Sequence, residues 1–308
     1  MKTAFIFPGQ GSQYVGMGMD LYENYQEVRD LYNKADEILG YRLSDICFEG
    51  PPEKLKQTYI TQPAIFLHSI AVTTLISDKI KADMTAGHSL GEYTAFWYAG
   101  VFSFEDGLQL VKARGEGMQE AGEKNRGTMA AVIGLHSDDI SGICSEYSEN
   151  GTVNIANYNS PSQVVISGSV DSVRNVMEIC RQKGAKLVKE LEVHGAFHSA
   201  LMKPAEETLK SALDKVKFSK PHIPVYCNYD AKAVDSSATE SEIKELLIKQ
   251  LTSSVRWEEI VINMRLHGVT EFTELGPGKV LQGLVRRIIP DSTVKGFDKL
   301  TDLQTNLN

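Results

Sequence analysis

The segment DMTAGHSLGEYTAFWYAGV, residues 83–101, constrains the fold most because its Gly-x-Ser-x-Gly sequence separates two different patterns. The residues before Ser89 are typical of a short strand, and those after it are typical of a helix rich in alanine and aromatic residues. A serine at such a strand-to-helix corner projects its hydroxyl from the loop, next to a helix N-terminus that stabilises negative charge. The segment therefore predicts a nucleophile on a sharp turn.

A simpler structure fits the same residues. Ser89 is also placed to cap the following helix, with Glu92 three residues later completing a capping box. A nucleophilic serine needs a base, and His88 is a poor choice because adjacent side chains diverge at a sharp turn, so we expect it to be structural. Spacing alone does not choose among the other histidines, which are His68, His136, His194, His198, His222 and His267.

Strand-like runs alternate with helical patterns along most of the chain, which favours an α/β fold with a largely parallel sheet. Helical patterns cover residues 12–39 and 61–80, and a strand is predicted at residues 223–228. Between residues 126 and 196 the pattern changes to β-α-β-β-α-β, the order of a ferredoxin-like unit. We predict a large α/β-hydrolase-like domain, residues 1–125 and 197–308, with a small ferredoxin-like domain, residues 126–196, inserted into it.

Charge and hydrophobic patterning exclude several classes of function. The net charge of -8 and the pI of about 5.5 argue against nucleic-acid binding, which relies on clustered Lys and Arg. The first apolar run ends at Pro8 and Gly9, short of a signal-peptide core. The apolar stretch at residues 64–76 is interrupted by polar residues and is too short to span a bilayer. These features predict a cytoplasmic protein without membrane association.

No metal or nucleotide motif stands out. The four cysteines lie far apart without a C-x-x-C pair, which indicates structural thiols. His194 and His198 are four residues apart, but Gly195 and Phe197 make a regular helix there doubtful, so we expect no metal site. The glycine-rich FPGQGSQYVGMG, residues 7–18, fits neither a dinucleotide fingerprint nor a P-loop; it is either a turn into a helix or a loop whose amides approach an anion.

Six segments in order carry a resemblance to a known family. They are FPGQGSQYVGMG (7–18), TQPA (61–64), GHSLGEY (87–93), NSPSQVVISG (159–168), GAFHSALM (195–202) and ELGPGKVLQGL (274–284). Together they span almost the whole chain, from about residue 3 to 290. The chain resembles the malonyl-CoA:acyl carrier protein transacylases, including the stand-alone acyltransferases of polyketide synthases.

The resemblance implies roles that spacing does not assign. Ser89 is expected to be the nucleophile, and His198 its general base and later general acid. Gln10 and Leu90 are expected to supply the oxyanion-hole amides. In this family the third member of the triad is commonly a backbone carbonyl, here that of Gln250.

The resemblance also implies how the substrate is selected. Arg114 matches the arginine that binds the free carboxylate of malonyl, and Phe197 matches the malonyl-selective form of the histidine motif. Gln62 and Asn157 fall where the family lines its pocket. The expected reaction is ping-pong transfer of malonyl from malonyl-CoA to the phosphopantetheine thiol of an acyl carrier protein, in fatty acid or polyketide synthesis.

The same resemblance implies a monomer that uses no metal, nucleotide or redox cofactor. An acyl-thioester hydrolase that clears stalled carrier proteins with the same Ser-His pair is the alternative. Such hydrolases tend to lack the arginine that this chain has at Arg114.

Overall fold

A computed structural model describes residues 2–148, 152–193 and 195–306. The strands are β1 (Lys2–Phe7), β2 (Met84–Gly87), β3 (Gly127–Ile133), β4 (Val153–Ser160), β5 (Gln163–Ser169), β6 (Leu187–Glu190), β7 (Val225–Tyr226), β8 (Ala233–Val234), β9 (Val269–Leu275) and β10 (Thr293–Phe297). The helices are α1 (Met19–Asn24), α2 (Gln26–Leu39), α3 (Leu43–Glu49), α4 (Pro52–Leu55), α5 (Thr58–Ile76), α6 (Gly91–Tyr98), α7 (Phe104–Lys124), α8 (Ser137–Tyr147), α9 (Val170–Gln182), α10 (Pro204–Leu213), α11 (Glu240–Gln250), α12 (Trp257–Leu266), α13 (Val280–Ile288) and α14 (Leu300–Asn306).

The larger sheet has six strands in the order β10-β9-β1-β2-β7-β8, all parallel except the short β8. Side chains of β1 alternate between its two faces, as the period of a strand requires. Phe5 and Phe7 pack into a core with α5, α6 and α7, while Ala4 and Ile6 pack into a second core with α12 and α13. Helices therefore cover both faces of the sheet, and the predicted α/β class with a parallel sheet is confirmed.

The smaller sheet has four antiparallel strands in the order β4-β5-β3-β6, with α8 and α9 packed on it around a separate core. This is the predicted ferredoxin-like order of strands. The sheet and its helices lie inside the predicted segment 126–196, whose boundaries stay a prediction. Its edge strand β4 is tied to the rest of the chain at Val255, which exchanges backbone hydrogen bonds with Ala156 and Tyr158.

Helix α5 is the mostly buried helix expected at residues 61–80, although it runs from Thr58 to Ile76. With 19 residues and no Asp, Glu, Lys or Arg, it passes the length and hydropathy test for a membrane span. However, 83% of its most apolar window is buried inside the protein. The apolar stretch at residues 64–76 is therefore the C-terminal part of a longer helix that is buried in the larger core.

The helical pattern at residues 12–39 was only partly right. Residues before α1 form a loop, whose Gly16 N–H donates to the carbonyl of Cys47 instead of to a helical partner. The strand predicted at residues 223–228 shortens to Val225–Tyr226, after which the chain turns away from the sheet. The loop before α1 starts at the cavity described below, which Ser12 lines.

Candidate active site

Ser89 lies on the sharp turn between β2 and α6, at the carboxyl end of the parallel sheet. Its φ of +53° is rare for a residue with a Cβ, and such backbone strain concentrates at functional sites. Close packing of the turn depends on Gly91, where a Cβ would lie 2.1 Å from the carbonyl oxygen of Phe7. Helix α6 is capped at Leu90 without a side-chain hydrogen bond. The capping box of Ser89 and Glu92 was therefore the wrong alternative.

His198 is the histidine that contacts Ser89, with 2.8 Å between its Nε2 and the Ser89 Oγ. Its Nδ1 lies 2.9 Å from the backbone carbonyl oxygen of Gln250. Gln250 is the last residue of α11, where carbonyls have no partner within the helix and are free to accept other donors. The carbonyl fixes the tautomer with a proton on Nδ1, which leaves Nε2 as the acceptor for the serine proton.

Arg114 reaches the same point from the middle of α7. Helix α7 approaches α5 closely at Gly115, where a Cβ would lie 2.9 Å from the Cα of Tyr59. The guanidinium donates from Nη1 to Gln62 Oε1 at 2.8 Å and from Nη2 to Gln250 Oε1 at 2.9 Å. Arg114 is 1% exposed, so these bonds hold a buried cation in a fixed orientation.

The Arg114 cation also acts on Ser89 and His198. Its Nη2 lies 3.1 Å from the Ser89 Oγ, so the hydroxyl accepts from Arg114 while it donates to His198. Burial and the nearby Arg114 charge lower the pKa of His198 to about 3. The imidazole is therefore neutral near pH 7, as a general base must be.

Gln10 and Leu90 both line the cavity that contains Ser89. Gln10 belongs to the loop after β1, and Leu90 follows the serine at the start of α6. Within the described ranges, neither backbone N–H donates to a protein acceptor. Both amides are thus free to donate to an oxyanion, which is the role that the family resemblance implies for them.

The cavity has a volume of about 240 Å³ and lies between the two sheets. Phe197, Gln62 and Asn157, the three predicted pocket residues, all line it and are almost fully buried. Gln62 is held by two contacts, since its Nε2 lies 3.2 Å from the Met118 sulfur and its Oε1 accepts from Arg114. Among the described residues that line the cavity, Arg114 is the one lysine or arginine.

Sequence reasoning missed a polar residue that bonds to the Ser89 backbone. Asn228 is fully buried, and its Oδ1 accepts from the Ser89 N–H at 2.7 Å. Its backbone N–H donates to Glu92, a fully buried carboxyl whose pKa is raised to about 8 by desolvation. The available signal was position, because Asn228 directly follows a predicted strand, and carboxyl ends of neighbouring parallel strands meet at one edge of a sheet.

The remaining sequence candidates make no hydrogen bond to the Ser89 hydroxyl among the described residues, although His88 lines the cavity. His88 turns away from Ser89, and its Nε2 lies 2.9 Å from Asn159 Oδ1 on β4. His194, the other member of the pair considered for a metal, lies outside the described residues. Cys47, Cys144, Cys180 and Cys227 are buried and free, as expected of structural thiols.

Comparisons with known proteins agree with this arrangement. The family model described as acyl transferase domain matches residues 4–296. The malonyl CoA-acyl carrier protein transacylase of Bacillus subtilis is 45% identical over 289 residues, 93% of this chain and 90% of that protein. A polyketide biosynthesis malonyl CoA-acyl carrier protein transacylase of the same species is 40% identical over 291 residues, 94% and 97% of the two chains. A malonyl-transacylase solved in complex with a type II PKS acyl-carrier protein has a TM-score of 0.95 at 38% identity, covering 100% of this chain and 99% of that one.

Proposed function

The chain belongs to the acyl transferase domain family, among the malonyl-CoA–acyl carrier protein transacylases, and from this premise we propose how it transfers malonyl. The reaction takes malonyl from malonyl-CoA to the phosphopantetheine thiol of an acyl carrier protein. The observation that carries the proposal is the contact of the buried Arg114 with the Ser89 hydroxyl, 3.1 Å away. A nucleophile beside a fixed cation suits an acyl group that carries its own carboxylate.

In the first half-reaction Ser89 attacks the thioester carbonyl of malonyl-CoA. His198 Nε2 accepts the serine proton, and the Gln250 carbonyl stabilises the imidazolium through Nδ1–H. The N–H groups of Gln10 and Leu90 donate to the oxyanion of the tetrahedral intermediate. When the intermediate collapses, the C–S bond breaks, His198 returns the proton to the sulfur, and coenzyme A leaves as a thiol.

Arg114 binds the malonyl carboxylate during this step. The carboxylate is attached to the carbon next to the reacting carbonyl, so a cation in contact with Ser89 Oγ is within its reach. A guanidinium presents parallel N–H donors to both carboxylate oxygens and keeps its charge near neutral pH. Pairing also cancels the positive charge that opposes protonation of His198, so the bound substrate makes the base stronger.

In the second half-reaction the nucleophile is the phosphopantetheine thiol of the carrier protein. His198 removes the thiol proton, the thiolate attacks the malonyl-serine ester, and the C–O bond to Ser89 breaks as His198 protonates the serine oxygen. Phe197, Gln62 and Asn157 shape the pocket that holds the malonyl group through both steps. Serine and imidazole supply the whole chemistry, so we propose that no metal, nucleotide or redox cofactor takes part.

We further propose that the enzyme is a cytoplasmic monomer that does not bind nucleic acid or membranes. The net charge of -8 supports the absence of nucleic-acid binding. The first apolar run forms β1 in the interior of the sheet, which supports its retention in the folded enzyme. Size-exclusion chromatography with light scattering tests whether the enzyme is a monomer, and cell fractionation tests whether it is cytoplasmic.

The covalent step is tested by the mass of the protein after incubation with malonyl-CoA. We expect the malonyl mass on the peptide that contains Ser89 and no such mass on the Ser89→Ala variant. Ser145→Ala is a matched control, because Ser145 is exposed on α8, and this variant should load normally. A malonyl mass that persists in folded Ser89→Ala would contradict the proposal.

A further inference from the structure

Both polar atoms of the Asn228 side-chain amide form hydrogen bonds with the turn that contains Ser89. Its Oδ1 accepts from the Ser89 N–H at 2.7 Å, and its Nδ2 donates to the Gly87 carbonyl at 2.7 Å. These two groups lie on either side of His88, and the Asn228 side chain is fully buried. One amide thus connects the last residue of β2 to Ser89.

These two bonds lie just beyond the last backbone pairing between strands β2 and β7. Strands β2 and β7 pair in parallel up to Ala86 and Tyr226, and Asn228 lies two residues beyond the last pair. A ladder that continued would place Asn228 opposite His88, but here the chain bends into the turn before α6. The side chain of Asn228 takes over the bonding that the backbone of β7 no longer supplies.

The turn needs such support because Ser89 has a positive φ, which is unfavourable for a residue with a Cβ. On the helix side, the N–H groups of Gly91 and Glu92 bond back to the carbonyls of His88 and Ser89. On the strand side, Asn228 makes the two bonds described above. The geometry of the serine is therefore fixed from both directions.

Asn228 is itself held rigidly. Its backbone N–H donates to Glu92 Oε2, and its carbonyl accepts from the Arg256 N–H at 3.1 Å. Gln250 Nε2 lies 3.4 Å from the side-chain Oδ1 of Asn228 and 2.9 Å from the Ser89 carbonyl oxygen. The residue that orients His198 and the residue under Ser89 are thus in contact.

We propose that Asn228 is a positioning residue of the acyl transfer: it holds Ser89 in its attacking conformation and occupies the Ser89 N–H. The oxyanion donors are then left to Gln10 and Leu90. The predicted loss of malonyl transfer rests on the proposed function. The predicted loss of Ser89 reactivity does not, because it is independent of the acyl group.

The test compares wild type, Asn228→Ala, Asn228→Asp and Asn263→Ala. Asn263→Ala is a matched control, because Asn263 Nδ2 donates to the Ala231 carbonyl of the same loop but does not contact the serine. Each folded variant, checked by its melting curve, is labelled with a fluorophosphonate that reacts with activated serines. Steady-state kcat and KM for malonyl-CoA with holo carrier protein are measured alongside.

Asn228→Ala should slow fluorophosphonate labelling and lower kcat by roughly 10²-fold, the cost of a misplaced reacting group. KM for malonyl-CoA should stay within about threefold, because Arg114 still binds the carboxylate. Asn228→Asp keeps an acceptor for Ser89 but loses the donor to Gly87, and should also label more slowly than wild type. Asn263→Ala should label at the wild-type rate.

Wild-type labelling rates in both folded Asn228 variants would overturn the inference, as would an equal loss in Asn263→Ala. If wild type labels but never takes up malonyl, the proposed function fails while the labelling series still decides the role of Asn228. If wild type transfers malonyl and the Asn228 variants label normally, the inference fails while the proposed function stands.

Discussion

Replacing Arg114 with alanine should convert a malonyl-selective enzyme into one that no longer distinguishes malonyl from acetyl. Arg114 is 1% exposed and is the one lysine or arginine among the described residues that line the cavity. In the variant, a bound malonyl carboxylate would be buried without a cation. Breaking one side of a buried ion pair costs about 3–5 kcal/mol, which corresponds to roughly 10²- to 10⁴-fold in specificity.

The variant also damages the site in ways that do not depend on the substrate. Gln62 Oε1 and Gln250 Oε1 each lose a donor, and the pKa of His198 rises when the nearby charge is removed. The assay is therefore the ratio of kcat/KM for malonyl-CoA to kcat/KM for acetyl-CoA, in which these common losses cancel. We expect this ratio to fall by about 10²-fold or more.

Lys124→Ala is the matched control, because it removes a cation from the same helix at a side chain that is 63% exposed. Its malonyl-to-acetyl ratio should equal that of wild type. An unchanged ratio in Arg114→Ala would show that Arg114 does not bind the carboxylate, and would refute the reasoning.

Three further predictions follow from the contacts of the site. His198→Ala should slow both serine acylation and transfer to the carrier by roughly 10²- to 10⁴-fold, since one imidazole serves both steps; pre-steady-state mass spectrometry measures each. Because burial and Arg114 lower the pKa of His198 to about 3, the base stays neutral, and kcat/KM should be flat from about pH 8 to pH 5. An acid limb near 6.5 that vanishes in His198→Ala would contradict this. Glu92, whose pKa burial raises to about 8, ionises in the unfolded chain first, so its own contribution to the free energy of unfolding should fall by about 3 kcal/mol between pH 4 and 7; in denaturant titrations, wild type should lose about that much stability relative to Glu92→Gln over this range.

The sequence predicted the parts of the structure that depend on local pattern. The strand, turn and helix around Ser89 lie within residues 84–98, and the strands and helices of the small antiparallel sheet follow one another within residues 127–190. The contact between Ser89 and His198 joins residues 109 positions apart, so spacing could not single out His198 from the other histidines. Resemblance to a family supplied that pairing, and the structure brings the two side chains together.

The sequence could not predict the hydrogen-bond partners of buried polar side chains, because these depend on how distant elements pack together. Glu92 has the spacing of a capping box, yet its carboxyl group accepts from the backbone N–H of Asn228, two residues beyond the end of β7. The side chain of Gln250 binds both Arg114 and the Ser89 carbonyl, beyond the backbone role expected of it. Asn228 carries no motif at all, because its contribution consists of bonds to backbone atoms that any residue has.

The most direct test of the account is the fate of the malonyl group on the isolated acyl-enzyme. Enzyme loaded with isotope-labelled malonyl-CoA is freed of excess substrate, and holo carrier protein is added to one half and buffer to the other. We predict that malonyl leaves Ser89 for the carrier thiol within one turnover time, and that the ester persists in buffer. Release of free malonate at the same rate with and without carrier would contradict malonyl transfer and would make the enzyme a hydrolase.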